Sequence, residues 1–183
     1  MLRLRSNQPI MVALAAILST SGCIFAKQSG AGSLQPDFTL QPRASILLGQ
    51  VLDGSGSDGL MIGSGELMKS SIATELLKRG FQVVNSGSAD GGQLLEEAKV
   101  RNIPFVLSAR ITIWEDNATS WSGKRDHAGI SLQLFDVASE TLKGSSERTA
   151  VGVRHPNECA PWLASVSIAA MFGEPVTEEG PPC

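Results

Sequence analysis

Ile103-Pro-Phe-Val-Leu-Ser-Ala-Arg-Ile-Thr-Ile-Trp114 is a strand by its pattern. Phe105, Leu107, Ala109, Ile111 and Ile113 fall at every second position, with Ser108, Arg110 and Thr112 between them. That spacing puts one apolar face on an extended chain. Ala128 to Val137 repeats the pattern through Ile130, Leu132 and Leu134. Ala138-Ser-Glu-Thr141 then reads as a hairpin turn, and Thr141 to Val153 as the return strand. The second half of the chain is therefore a set of antiparallel strands.

Upstream the period changes. Ser64 to Arg79 carries Met68, Ile72 and Leu76 four apart, with Leu67, Ala73 and Leu77 beside them. This is an apolar helical stripe. Lys78 and Arg79 suit its negative end, and Gly80 suits a left-handed cap. Ser45 to Leu52 is a short apolar run, read as a first strand buried on both faces, and Asp53 to Gly59 as a loop. Phe81-Gln-Val-Val84 is a second strand. A helix starts at Asp90, with Gln93 reaching back and Leu94, Leu95 and Ala98 as its stripe. Pro161 suits the first turn of a last helix that reaches Phe172 and stops at Gly173. The expected order is β-α-β-α-β-β-β-α, an α/β (α+β) mixed sheet with helices packed on it.

The amino-terminal stretch follows another plan. Arg3 and Arg5 precede the uncharged run Ile10 to Leu18, and the small residues Ser19-Thr-Ser-Gly lead to Cys23. This is the layout of a secretory signal peptide over residues 1–22, and its apolar run is too short to span a bilayer. Small residues before Cys23 resemble the bacterial lipobox, in which that cysteine is acylated and becomes the first mature residue. Thr20 stands where a lipobox usually has Leu. An ordinary cleavage site beside an incidental cysteine is the alternative. Palmitate-class chains on Cys23 would anchor the protein to the membrane of the cell envelope, with the domain in the periplasm. Ile24 rather than Asp follows the cysteine, which favours the outer membrane over the inner. Residues 23–43, rich in Gly, Ser, Gln and Pro, read as lipidated terminus and flexible tether; residues 44–173 as one domain; residues 174–183 as a tail.

Composition narrows the function. Without Arg3 and Arg5, 13 basic residues face 18 acidic ones. A mildly acidic body lacks the basic footprint that nucleic acid requires. Tyr is absent, so a stacking platform is poorly supplied. Cys159 and Cys183 form an even pair in an oxidising compartment, which favours a disulfide over two free thiols. His127 and His155 stand alone in the sequence, without metal-ligand spacing, and no cofactor motif occurs.

The most distinctive segment runs from Trp114 to His127. It holds Trp114, Glu115, Asp116, Trp121, Lys124, Arg125 and Asp126 on a connection between strands. Indoles beside charges of both signs suit recognition of a protein partner. The two Trp residues pairing across the hairpin, with the charges solvated, is the competing reading. Adjacent Glu115 and Asp116 point to opposite faces of a strand, which argues against paired acid-base catalysis.

At Trp114-Glu-Asp-x-Ala-Thr-x-Trp-Ser-Gly-Lys124 the chain resembles a family of bacterial putative lipoproteins, the domain-of-unknown-function family numbered 4823. The resemblance extends from about Ser45 to Phe172, through Gly80-Phe-Gln-Val-Val84 and Asp136 to Leu142. The architecture also looks like the TolB amino-terminal domain and the lipoprotein activators of penicillin-binding proteins. The family implies no activity. The expectation is a non-catalytic envelope module that binds a protein partner or assists assembly. Binding of a small envelope ligand such as a glycan fragment is the alternative, and a hydrolase the weaker one.

Overall fold

A computed structural model describes residues 27–56, 59–117, 123–153, 155–177 and 180. The strands are β1 (Lys27–Leu34), β2 (Ser45–Leu48), β3 (Ser55–Gly56), β4 (Gly59–Leu60), β5 (Gln82–Asn85), β6 (Phe105–Glu115), β7 (Asp126–Asp136) and β8 (Thr141–Val153). The helices are α1 (Ser64–Lys78), α2 (Gly91–Val100) and α3 (Pro156–Met171). Six strands form one mixed sheet in the order β1-β8-β7-β6-β2-β5, and β3 with β4 forms a small separate hairpin. β2 lies parallel to both β5 and β6, as crossovers through α1 and α2 require. The pairs β6–β7, β7–β8 and β8–β1 are antiparallel.

The two sheet faces are covered unequally. Met68, Ile72 and Leu76 of α1 and Leu163, Ala164 and Ile168 of α3 join Ile46, Leu48, Leu107, Ile130, Leu132 and Leu134 in the larger core. Leu94 and Ala98 of α2 close a smaller core over Leu47 and Val106 on the opposite face. Leu47 between Ile46 and Leu48 explains why β2 reads as continuously apolar: it is buried from both sides.

The helix termini follow their sequences with one correction. Asp90 caps α2 by accepting from the Gln93 amide at 2.9 Å. The Gln93 side chain does not reach back to the cap; its Oε1 accepts from Ser88 Oγ instead. The α1 start has no side-chain cap of its own. Asp53 serves it from the preceding loop, accepting from the Gly63 and Gly65 amides at 3.1 and 2.8 Å. α3 begins at Pro156, with His155 as its cap, so Pro161 lies inside the helix rather than in its first turn. Pro156 holds the first-turn place, where a missing N–H is harmless.

The tether expected over residues 23–43 is contradicted where it is described. Residues 27–34 are β1, an edge strand paired along β8 from Lys27↔Val151 to Leu34↔Gly144. Phe38 and Leu40 pack onto the larger core. The glycines there serve close packing. A Cβ on Gly32 would sit 2.5 Å from the Ala170 carbonyl carbon and oxygen of α3. Gly30 has φ +141° and would meet the Glu147 carbonyl. Small residues let β1 slide under α3, and the same composition reads as flexibility in a one-dimensional pattern. The signal segment 1–22, Cys23, Trp121 and Cys183 lie outside the described residues.

Candidate functional site: the rim at Glu115 and His127

The distinctive segment sits where β6 ends and β7 begins. The β6–β7 register shifts between Ile111 and Ile113, a bulge at Thr112. An extra residue reverses which side chains face the core. Ile111 is buried, Ile113 is only partly so, and Trp114 turns fully inward. Trp114 therefore belongs to the core, not to a partner surface. A Cβ on Gly54 would lie 2.6 Å from both Trp114 Cβ and Ile111 Cγ2, so the segment after β2 presses directly on the indole. The indole Nε1 has no hydrogen-bond partner among the described residues. A glycan-stacking role for Trp114 is lost with its exposure.

Asp126 is fully buried as well. Its Oδ1 accepts from the Asn117 amide at 2.6 Å, while Asn117 Nδ2 donates to the Arg125 carbonyl at 2.8 Å. These bonds close the connection on itself, so Asp126 holds the rim rather than forming its surface. Half-buried Glu115 and Asp116 each meet a histidine. Glu115 Oε2 is 3.2 Å from His127 Nδ1, its cross-strand neighbour. Asp116 Oδ2 is 3.2 Å from His155 Nε2, at the start of α3. Two imidazoles that stand alone in the sequence are thus each paired with an acid. The missing signal was register: Glu115↔His127 follows once the hairpin alignment is known. Each of the three acids has its own partner: His127 for Glu115, His155 for Asp116 and the Asn117 amide for Asp126.

Lys124 and Arg125 are exposed beside these pairs. Glu115, Asn117, Lys124, Arg125 and His127 line an open hollow of about 380 Å³. No group of three or more metal-ligating side chains occurs among the described residues. No described helix is long and apolar enough to cross a membrane.

A second position common in doubly wound sheets is closed. Ligands there sit outside the carboxyl ends of parallel strands, where successive connections leave to opposite faces. In this chain those strands are β2 and β5, followed by α1 and α2. The seam is filled by Lys69, which is buried and donates to Gln50 Oε1 at 2.8 Å and to the Ser86 carbonyl at 2.9 Å. In the sequence its mark is a lysine next to Met68 and three residues before Ile72, all on the buried side of α1.

Cys159 is fully buried near the start of α3 and is disulfide-bonded.

The chain is similar in fold to PelC.

The PelC dodecamer from Paraburkholderia phytofirmans superposes with a TM-score of 0.61 at 16% identity, covering 79% of this chain and 96% of that one. A variant of the same dodecamer gives a TM-score of 0.59 at 16% identity, covering 80% and 98%. Lipoprotein GNA1162 from Neisseria meningitidis gives 0.43 at 16% identity, covering 58% and 78%. At such identity the likeness to PelC is one of fold. No family model matches the chain, and the likenesses to family 4823 and TolB are not shown. No curated protein matches it.

Proposed function

We propose that this chain is a bacterial envelope lipoprotein, acylated on Cys23, whose domain is a non-catalytic binding or assembly module in the periplasm. The carrying observation is the rim itself. Glu115, Asp116, Lys124 and Arg125 present both signs of charge on the described flanks of the β6–β7 connection, which the buried Asp126 ties together through the Asn117 amide. Complementary charge at such a rim gives specificity and orientation to a protein encounter. The solved PelC of this fold is a dodecamer, so another copy of this chain is the first partner to test. The signal-like leader, the apolar run and Cys23 support export; Ile24 supports the outer membrane.

In this reading the disulfide runs from Cys159 to Cys183. Gly180 is buried against Trp162, one helical turn beyond Cys159, and Cys183 follows three residues later. Acylation of Cys23 and pairing of the other two cysteines are mutually consistent, because each thiol is then used once.

The test is in-cell crosslinking of the mature protein with mass spectrometry of what it holds. Wild type and Lys124→Ser/Arg125→Ser are compared. The reading expects specific partners, copies of the chain among them, to disappear with the variant. An unchanged partner set would overturn the role of the rim. Metabolic labelling with palmitate, compared against Cys23→Ala, tests the anchor.

A further inference from the structure

We propose that Leu60, at the end of β4, and Ile62, just after it, contact the phospholipid surface to which the acyl anchor ties this end of the sheet. The inference rests on acylation of Cys23. Exposure, position in the sheet and the length of chain between Cys23 and β1 carry it.

The first is exposure. Leu52, Leu60 and Ile62 are 67, 63 and 90% exposed, all within the short segment leading into and out of the hairpin. Single exposed apolar residues are ordinary, but three such residues within eleven positions of chain make this segment a candidate contact surface. Met61 between them turns partly inward and anchors the hairpin to the larger core.

The second is position. Glu115 pairs with His127, His127 with Val151, and Val151 with Lys27. A Cβ on Gly56 would lie 2.4 Å from the Trp114 carbonyl and 3.1 Å from Glu115 Cα, so the hairpin continues this row. Gly56, Glu115, His127, Val151 and Lys27 therefore stand at one level along one end of the sheet. At about 4.8 Å per strand, the row from hairpin to β1 spans roughly 19 Å.

The third is the length of chain outside the structure. Four peptide links separate Cys23 from Lys27, where β1 is already locked to β8. Fully extended, they reach about 14 Å. Acyl chains on Cys23 thus hold this end of the sheet against the bilayer. Hairpin insertion becomes an intramolecular step, favoured by the high local concentration of lipid. The rim between β1 and the hairpin is then held at headgroup level. Its protein partner must accordingly be one that is itself at the membrane surface.

The test uses the mature, acylated full chain in vesicles of phosphatidylethanolamine and phosphatidylglycerol, with and without doxyl-labelled lipid. An environment-sensitive dye is placed at Ile62→Cys. Leu77→Cys is the reference: Leu77 is 57% exposed but lies near the carboxyl end of α1, away from the hairpin. Flotation and intact mass report the anchor separately. The expected result is a blue shift and several-fold stronger doxyl quenching at position 62 than at 77. An acylated, floating protein whose position 62 stays in water would overturn this contact and leave the lipoprotein reading intact. A blue shift without lipid quenching would mean that protein covers the hairpin, and would also overturn it. An unmodified Cys23 would remove both readings.

Discussion

Replacing Gly32 by Ala tests whether the amino-terminal segment is structural. The new Cβ would sit 2.5 Å from the Ala170 carbonyl carbon and oxygen and 2.7 Å from the Ala170 Cβ. Ordinary carbon contacts lie near 3.5–4.0 Å, so β1 and α3 must separate by about 1 Å. Two of the three contacts are backbone, which no rotamer change relieves. Overpacking of this kind costs roughly 1–3 kcal/mol, and the lower chain entropy of Ala returns about 0.5–1. The net loss is about 1–2 kcal/mol. For a domain of this size that lowers Tm by roughly 2–8 °C. Gly91→Ala is the control, since nothing lies within 4 Å of a Cβ there and Ala favours the helix. The assay is thermal and urea denaturation of the mature chain, with hydrogen exchange read over residues 27–34. If Gly32→Ala melts with the parent and the β1 amides exchange freely, β1 is not docked under α3. The short link from anchor to sheet would then fall with it.

Trp114→Ala should destabilise the domain by about 3–5 kcal/mol in urea unfolding, as loss of a fully buried aromatic does; a loss below about 1 kcal/mol would return Trp114 to the surface. Asp136 is held below its ordinary value of 3.8 by the Ser139 hydroxyl first, aided by the Ser139 amide and opposed by partial burial. Its contribution is therefore present above that ordinary value and is lost as pH falls through the lower folded one. Asp136→Asn should flatten the acid limb of the stability profile below about pH 4, and an unchanged limb would refute the assignment. Cys183→Ser opens a loop of roughly 24 residues and should cost about 3 kcal/mol, with peptide mapping of the parent showing Cys159 joined to Cys183.

Local pattern carried most of the fold. Met68, Ile72 and Leu76 are the buried stripe of α1, Leu107 and Leu134 do face the core, and Gly173 takes a positive φ just past α3. What escaped depends on a partner far along the chain. β1 has no apolar alternation because it is an edge strand whose glycines approach α3, and neither β8 nor α3 is visible from residues 27–34. The bulge at Thr112 shifts the phase by one residue, so alternation correctly placed Ile111 and then misplaced Trp114. At the rim, the exposure of Lys124 and Arg125 was legible, whereas the buried brace formed by Asp126 was not. A carboxylate that closes a turn looks the same in a sequence as one that meets solvent.

The filled seam between β2 and β5 bears on what can ever lodge there. An incoming phosphate would have to evict the Lys69 ammonium from two neutral acceptors that already satisfy it. It would also meet carboxylates at both flanking helix starts, since Asp53 and Asp90 occupy the amide positions an anion would want. The crossover half of this domain is thus a keyed joint, its seam and both helix starts occupied by the chain's own side chains.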